Sequence, residues 1–507
     1  MLQSDWPLLS VAIWFPMIGG AFVLMVGDQA AEAAKRLGLA VALATFGITV
    51  LVAARFVPGV GEPQLVEATD WVAALGIEYR LGVDGFSLPL ILLTSLTSVL
   101  VAVGAWDSIK HSPAKFMAAL LVMTGLMIGV FLALDAILFY VFFEAMLIPM
   151  FLMIGIWGGP RRVYATIKFF LYTFLGSVMM LIALLYLGFK AGSFAVFDLH
   201  AVELGTVEQV LIFLAFFAAF AVKIPMWPVH TWLPDAHVEA PTGGSMVLAA
   251  IMLKIGGYGF IRFSMPIVPE GGAILATLVI GLSLVAIIYI AFVALAQEDM
   301  KRLIAYSSVA HMGFVTLGLF LVFPIIAAAG PSDHSALAVS GAMVQMVSHG
   351  FVSAALFFCV GVLYERRHSR MIGDYSGVAR FMPAFAAFFV LFSMANAGLP
   401  GTSGFVGEFM VIVGAWAASP WISFAAATTL VLGAAYTLWL VKRVAFGAGS
   451  DEMGEALARP MSAREYVVLA ALGAVVLGLG VWPAPLTDVM APSVEHLLGH
   501  VNAKLGG

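Results

Sequence analysis

The sequence has little charge, a single cysteine and no long polar stretch. Asp, Glu, Lys and Arg make up 10% of its 507 residues, against 62% hydrophobic residues. A soluble domain averages about 45–50% apolar and about 25% charged. A globule needs polar side chains for its outside, so this shortage excludes a soluble enzyme, a disordered chain and a nucleic-acid-binding protein. With Cys359 the one cysteine, an intrachain disulfide and any cysteine-ligated zinc or iron–sulfur site are excluded too; Cys359 reads as a small apolar helix residue, and no metal site is expected. No P-loop or dinucleotide fingerprint stands in a strand–turn–helix setting. A basic segment before the first apolar stretch is also missing. Asp5 stands there instead, so that stretch reads as a retained span rather than a cleaved signal.

What is present is apolar sequence, with a mean hydropathy of +1.05. A spanning helix needs about 20 apolar residues. Runs separated by charged or Pro/Gly-rich breaks predict about fourteen spans: 6–26, 37–57, 84–105, 115–134, 136–157, 164–189, 208–228, 243–263, 271–296, 302–323, 336–363, 381–416, 421–441 and 465–482. The expected fold class is an all-α polytopic membrane protein. Its longest polar segments are 58–82, 190–207, 364–380 and 442–464, and the tail from Pro483 reads as short, without a long extra helix. Lysine and arginine set the orientation. With the N-terminus on side one, that side receives Arg55, Arg80, Lys190, Arg262 and Lys504. Lys223 and Lys254 lie in spans, and the rest of the 24 basic residues fall on side two. Side two is therefore expected to be cytoplasmic and both termini outside. The net charge of −5 decides nothing by itself.

Two spans are interrupted by proline or glycine, one in KIPMWPVHTWLPDAH from Lys223, the other in NAGLPGTSGFVGEF from Asn396. Proline removes a backbone donor and blocks helix continuation. Broken helices at corresponding places in two halves mark a transporter with inverted repeats. These are the seventh and twelfth spans, an odd number apart, so the two units would have opposite topology.

Ionisable groups inside the spans cost at least about 2.5–3.5 kcal/mol each on insertion scales, so each is a functional hypothesis. Glu144 lies in span five, about nine residues in and so about 13 Å deep at about 1.5 Å per residue. Lys223 precedes the first break, and Glu408 follows the second. Lys254 is central in span eight, His311 in span ten and His349 in span eleven. A row of acids, amines and imidazoles passes protons; it does not make or break other bonds. Each has a plainer reading. Glu144 and Lys223 pair as a structural ion pair, His311 and His349 as packing donors, and Glu408 satisfies backbone freed by the break. Lys254 lies too deep to snorkel. His230 and His237 flank the first break and also read as loop residues, and Asp135 reads as a solvated helix start. A haem between His311 and His349 is disfavoured, since each helix offers one isolated central histidine.

The run KIPMWPVHTWLPDAHVEAPTGGSMVLAAIMLKIGGYG, Lys223 to Gly259, resembles the core signature of the antiporter-like subunits of respiratory complex I and their Mrp-type antiporter relatives. LGVDGFSLPL near Asp84, EDMKRLIAYSSVAHMGF near Lys301 and GTSGFVGEF near Glu408 match as well, and the resemblance covers nearly the whole chain. Within that family, Glu408 in the broken twelfth span resembles the M-type branch, where the L and N types carry lysine. The resemblance implies a proton channel of two inverted five-helix units, spans four to eight and nine to thirteen. The expected division is 1–114 for spans one to three, 115–263 and 264–446 for the two repeats, and 447–507 for a cytoplasmic loop, span fourteen and a short outer tail. It implies a regulating pair in Glu144 and Lys223, a central relay lysine in Lys254 and a distal acid in Glu408, with His311 and His349 between them. The implied function is proton translocation driven by NADH-to-quinone electron transfer in other subunits. No cofactor is expected in this chain, while the complex would use NADH, FMN, iron–sulfur clusters and quinone. Implied partners are the other membrane subunits, especially the L-type and N-type chains, in the bilayer of a bacterial inner membrane. The rival reading is a subunit of a multisubunit Mrp-type cation/proton antiporter.

Overall fold

A computed structural model describes residues 2–3 and 6–506; Asp5 lies outside the described residues. Among them, thirteen helices are long and apolar enough to cross a membrane, from Leu8–Val26 to Ala463–Val481. Two shorter apolar helices, Pro383–Asn396 and Ser403–Ala418, share the place of span twelve. Each of the fourteen expected spans therefore has its counterpart, and the chain is a multi-pass helical membrane protein. Spans eight (Thr242–Ile267) and eleven (Asp333–Arg367) are buried throughout their apolar cores, whereas spans one, two and nine are buried over less than half of theirs. The two enclosed spans form the centre of the bundle. They carry Lys254 and His349, so these polar groups sit among other helices and away from lipid.

Both breaks are real. Span seven, Thr206–Lys223, stops at Lys223 and resumes as a helix only at Trp232–Glu239, with Pro225 and Pro228 in between. Span twelve stops at Asn396 and resumes at Ser403. Here the chain turns on Gly398 (φ 76°) and Gly401 (φ 88°), a left-handed backbone that glycine adopts without steric cost. Span eight packs directly on the first break. A Cβ at Gly256 would lie 2.6 Å from the Phe220 carbonyl oxygen and 2.8 Å from the Ile224 nitrogen, so only glycine lets the two backbones approach there.

One local device occurs twice, five spans apart. Asp135 caps span five (Ala136–Trp157), its Oδ1 accepting from the amides of Ile137 and Leu138 at 2.9 and 3.0 Å. Asp299 caps span ten (Met300–Ala329) in the same way, from Lys301 and Arg302 at 2.8 and 3.2 Å. Each capping residue also bridges to the chain just beyond the following span, Asp135 to Ala195 and Asp299 to Met371. Ser, Thr, Asp and Asn side chains at this position satisfy amides that a helix start leaves free.

The structure corrects two expectations. The polar stretch 58–82 is not merely a loop: β2 (Gln64–Val72) and β3 (Ile77–Val83) form an antiparallel hairpin, with β1 (Leu2–Gln3) parallel to β2. The all-helical expectation therefore holds for the spans and not for this side-one cap. The tail from Pro483 does carry an extra helix, Ala484–Lys504, 21 residues long. Its buried residues Leu486, Met490, Ser493, Val494, Leu497, Leu498 and Val501 follow helical periodicity on one face. The other face is polar, so a search for uniformly apolar runs passes over it. The helix lies across side one. Ser493 Oγ accepts from the amide of Gly85 at 3.0 Å, and His500 Nε2 donates to the Pro266 carbonyl at 3.0 Å.

Candidate functional site

Lys254, His349, His311 and Glu408 come together from four spans. Lys254 is fully buried. Its Nζ donates to the carbonyl of Ala249 at 2.6 Å and lies 2.7 Å from His349 Nδ1. The carbonyl is available because Leu248–Met252 is a π-helical turn; such bulges release backbone groups from the regular ladder and recur at functional sites. With Lys254 donating, His349 Nδ1 is the acceptor and its Nε2 carries the proton. That Nε2 is buried without a partner. The His349 and His311 rings are 5.6 Å apart, centroid to centroid. His311 Nδ1 lies 2.6 Å from Glu408 Oε1, and Gln345 Nε2 donates to the same oxygen at 3.1 Å. The Tyr436 hydroxyl stands 3.5 Å from His311 Nε2. A cavity of about 10 Å³ lies against His311, Gln345, Ser348, His349 and Asn396, space for about one water.

The remaining two expected residues stand apart from this chain of contacts. Glu144 is half-buried, and Lys223 is buried. Among the described residues, neither Glu144 Oε1 nor Lys223 Nζ has a hydrogen-bond partner. The ion pair expected between them is not formed, although each feels the other's charge. Lys223 Nζ instead sits 4.5 Å from the centre of the Phe143 ring, a cation–π contact. Span five explains the offset. Its helix is interrupted at Met146, where Pro149 gives no hydrogen bond to the Ala145 carbonyl.

His237 and His230 are more than loop residues. His237 is fully buried and stacked on Phe357 at 4.3 Å, with neither ring nitrogen hydrogen-bonded. It faces the charges of Lys301 and Lys254. His230 is buried, and its Nδ1 is without a partner. Gln345 and Tyr436 were absent from the sequence reading. Gln345 stands four residues before His349, hence on the same helix face, and that spacing is the one signal that would have found it. Asp135 is a helix start, as expected, but not a solvated one: it is fully buried and spends its carboxylate on the cap. Among the described residues no group of three or more His, Cys, Asp or Glu is arranged to hold a metal ion.

Residues 133–433, which contain all six expected site residues, match the family model described as NADH:quinone oxidoreductase/Mrp antiporter, transmembrane. The chain belongs to this family. Its relatives in the family match it end to end. NADH-quinone oxidoreductase subunit M of Rhodobacter capsulatus is 48% identical, over 98% of each chain. NADH-ubiquinone oxidoreductase chain 4 of Prototheca wickerhamii is 41% identical, over 97% of this chain and 94% of that one. A chain of respiratory complex I from Thermus thermophilus with bound NADH superposes with a TM-score of 0.86 at 31% identity, covering 97% of this chain and 99% of that one. The family's other arm shares the fold: a chain of the Mrp complex from Dietzia sp. DQ12-45-1b gives a TM-score of 0.81 at 22% identity, over 98% of this chain and 55% of that one. Within the family, the chain therefore stands on the subunit M branch.

Proposed function

We propose that this chain is the M-type membrane subunit of a bacterial NADH:quinone oxidoreductase and that it moves protons across the inner membrane. The carrying observation is the line of contacts Lys254–His349–His311–Glu408, which crosses four spans with every member buried. An amine, two imidazoles and a carboxylate in sequence hold and hand on protons, and none of them is placed to do redox chemistry. Electron transfer from NADH to quinone then belongs to other subunits, which hold the FMN, iron–sulfur clusters and quinone. Neighbouring partners are the L-type and N-type chains. Side two faces the cytoplasm and both termini lie outside, in keeping with the lysine and arginine distribution. The two units, spans four to eight and nine to thirteen, are inverted repeats; the matching caps at Asp135 and Asp299 support this, since five spans apart they fall on opposite faces.

The test is the assembled complex purified through this subunit and placed in vesicles. NADH should drive acidification of the lumen, and the L-type and N-type chains should copurify. A complex that exchanges cations for protons without oxidising NADH would replace this reading with the Mrp-type antiporter. Its 22% identity to the Dietzia chain, beside 48% to the Rhodobacter one, gives that alternative the weaker support.

A further inference from the structure

Beyond the central line, span eight carries a second run of buried polar groups toward side one. Tyr258 follows Lys254 by four residues on the same helical stretch, Leu253–Gly259, so the two lie on one face. The Tyr258 hydroxyl donates to the Phe131 carbonyl at 2.8 Å and accepts from Arg262 Nε at 3.1 Å. Arg262 NH2 then pairs with Asp84 Oδ2. Arginine and aspartate are both buried, and Asp84 Oδ1 also accepts from the amides of Phe86 and Ser87 at 3.1 and 3.0 Å. Arg262 sits in a second π-helical turn, Phe260–Ser264, so both π turns of this span adjoin or contain its buried charges.

The run ends at a cavity of about 30 Å³ that Asp84 and Arg262 line from within and His200, His496 and His500 from the side-one face. A cavity of that size has space for about two waters. His200 Nε2 donates to the Arg262 carbonyl at 2.9 Å, and burial pushes its ring down to about 3, so it is a neutral imidazole with Nδ1 as a free lone pair. His496 and His500 belong to the Ala484–Lys504 helix, which is fastened over the cavity through Ser493, His500 and a 3.2 Å hydrogen bond from Lys504 Nζ to the Val202 carbonyl.

We propose that the Asp84–Arg262 pair is an outer gate: Tyr258, Arg262 and Asp84 connect the level of Lys254 to the histidine-walled cavity, and the guanidinium keeps that branch closed to protons returning from outside. The inference rests on the proton-translocation reading above. The structure shows the closed arrangement, because the Tyr258 proton is committed to Phe131, and Asp84 to Arg262 and two amides. A fixed positive charge in a narrow polar path excludes cations and protons, and arginine holds its charge because it does not release its proton at working pH. In each outward passage Lys254 gives up one proton and Asp84 takes it. Asp84 passes it on into the histidine-walled cavity, and Arg262 gives up none. An ion pair of purely structural value would have no bearing on leakage.

The experiment follows the decay of a preformed pH gradient in vesicles holding the assembled complex, with subunit content checked by blotting. Arg262→Gln should make the gradient decay about tenfold faster, the equivalent of about 1.4 kcal/mol off a barrier, whereas Asp84→Asn, which removes the group that takes the proton and keeps the guanidinium, should not. Adding Lys254→Ala or Asp84→Asn to Arg262→Gln should slow the decay again, because the opened branch leads through both groups. Unchanged decay in Arg262→Gln, or fast decay that persists in the doubles, overturns the gate. If Arg262→Gln does not assemble, Tyr258→Phe decides: it keeps the ring and the ion pair but removes the hydroxyl that connects the pair to the level of Lys254, so NADH-driven pumping should slow several-fold with decay unchanged, and unchanged pumping refutes the proposal. Full pumping by Lys254→Ala alone would instead refute the underlying proton-translocation reading.

Discussion

The buried charges of this protein are held in two contrasting ways. From Lys254 to Glu408, each group touches the next or stacks close to it. Between spans five and seven, Glu144 and Lys223 share an interior but not a hydrogen bond. An unsatisfied buried polar group costs about 1–3 kcal/mol, so the second region holds energy that the first has largely released as contacts. A bonded line conducts by exchanging protons along existing contacts. An open pair responds instead, since a change of charge on either member is felt by the other without first breaking a bond. The Glu144–Lys223 region therefore suits the setting of the relay's state, and the Lys254–Glu408 line suits carriage.

The comparison breaks most decisively at Lys254. In the assembled complex Lys254→Ala should reduce NADH-driven dye quenching to background, since the line loses its first member. Lys254→Arg should fail as well, because a guanidinium keeps the charge but cannot give up the proton. If Arg pumps at the unmodified rate while Ala is inactive, a fixed charge suffices there and the line is structural. Glu408 ranks next. Glu408→Gln keeps the shape and loses the titratable oxygen facing His311, so pumping should fall nearly as far, while Glu408→Asp should retain much of it. Equal pumping by Gln and the unmodified complex would show that no proton needs to rest on this carboxylate.

Much of this was legible in the sequence, for identifiable reasons. Apolar runs and their breaks report directly on spans, so all fourteen had counterparts, broken ones included. Single ionisable residues in such runs stand out against a background with few charges, which is how all six site residues could be named. Partnership was not legible. The sequence places Glu144 inside span five and Lys223 late in span seven but says nothing of the interruption at Met146 that leaves them apart. Gln345 and Tyr436 look like ordinary members of spans eleven and thirteen until the fold sets them beside His311. The hairpin and the Ala484–Lys504 helix escaped because each is amphipathic, with a polar face that dilutes the hydropathy by which membrane spans are found.

A smaller and more informative effect is expected at the open pair. Lys223→Ala and Glu144→Ala should each cut the initial pumping rate strongly, though less completely than Lys254→Ala, with assembly retained. Because the two side chains make no bond to each other, neither single substitution breaks a contact between them. The double variant should therefore pump no worse than the weaker single one if they act as one switch. Stability should show little coupling: residues not in contact add to within about 0.3–0.5 kcal/mol. A large coupling in thermal unfolding of the assembled complex would mean that an ion pair does form, and the contrast between the two regions would disappear.

The smallest effect tests whether contacts along the line matter for rate. Gln345 is not a proton carrier, since an amide neither gains nor loses a proton at working pH. Its Nε2 donates at 3.1 Å to the same Glu408 oxygen that faces His311, and so holds that carboxylate in place. Gln345→Leu removes one hydrogen bond at nearly constant volume, worth about 1 kcal/mol, or about 1.5–3 kcal/mol when the partner is charged. If that much is lost from the geometry of the transfer step, pumping should slow about five- to tenfold at the lower figure, well short of the loss at Glu408 itself. Gln345→Glu should be worse than Leu, because it sets a second carboxylate against the first. The measurement is the initial rate of NADH-driven quenching per assembled complex, with Glu408→Gln alongside. An unchanged rate in Gln345→Leu would mean that Glu408 is positioned by His311 alone; a loss as complete as that of Glu408→Gln would make the amide part of the relay rather than its support.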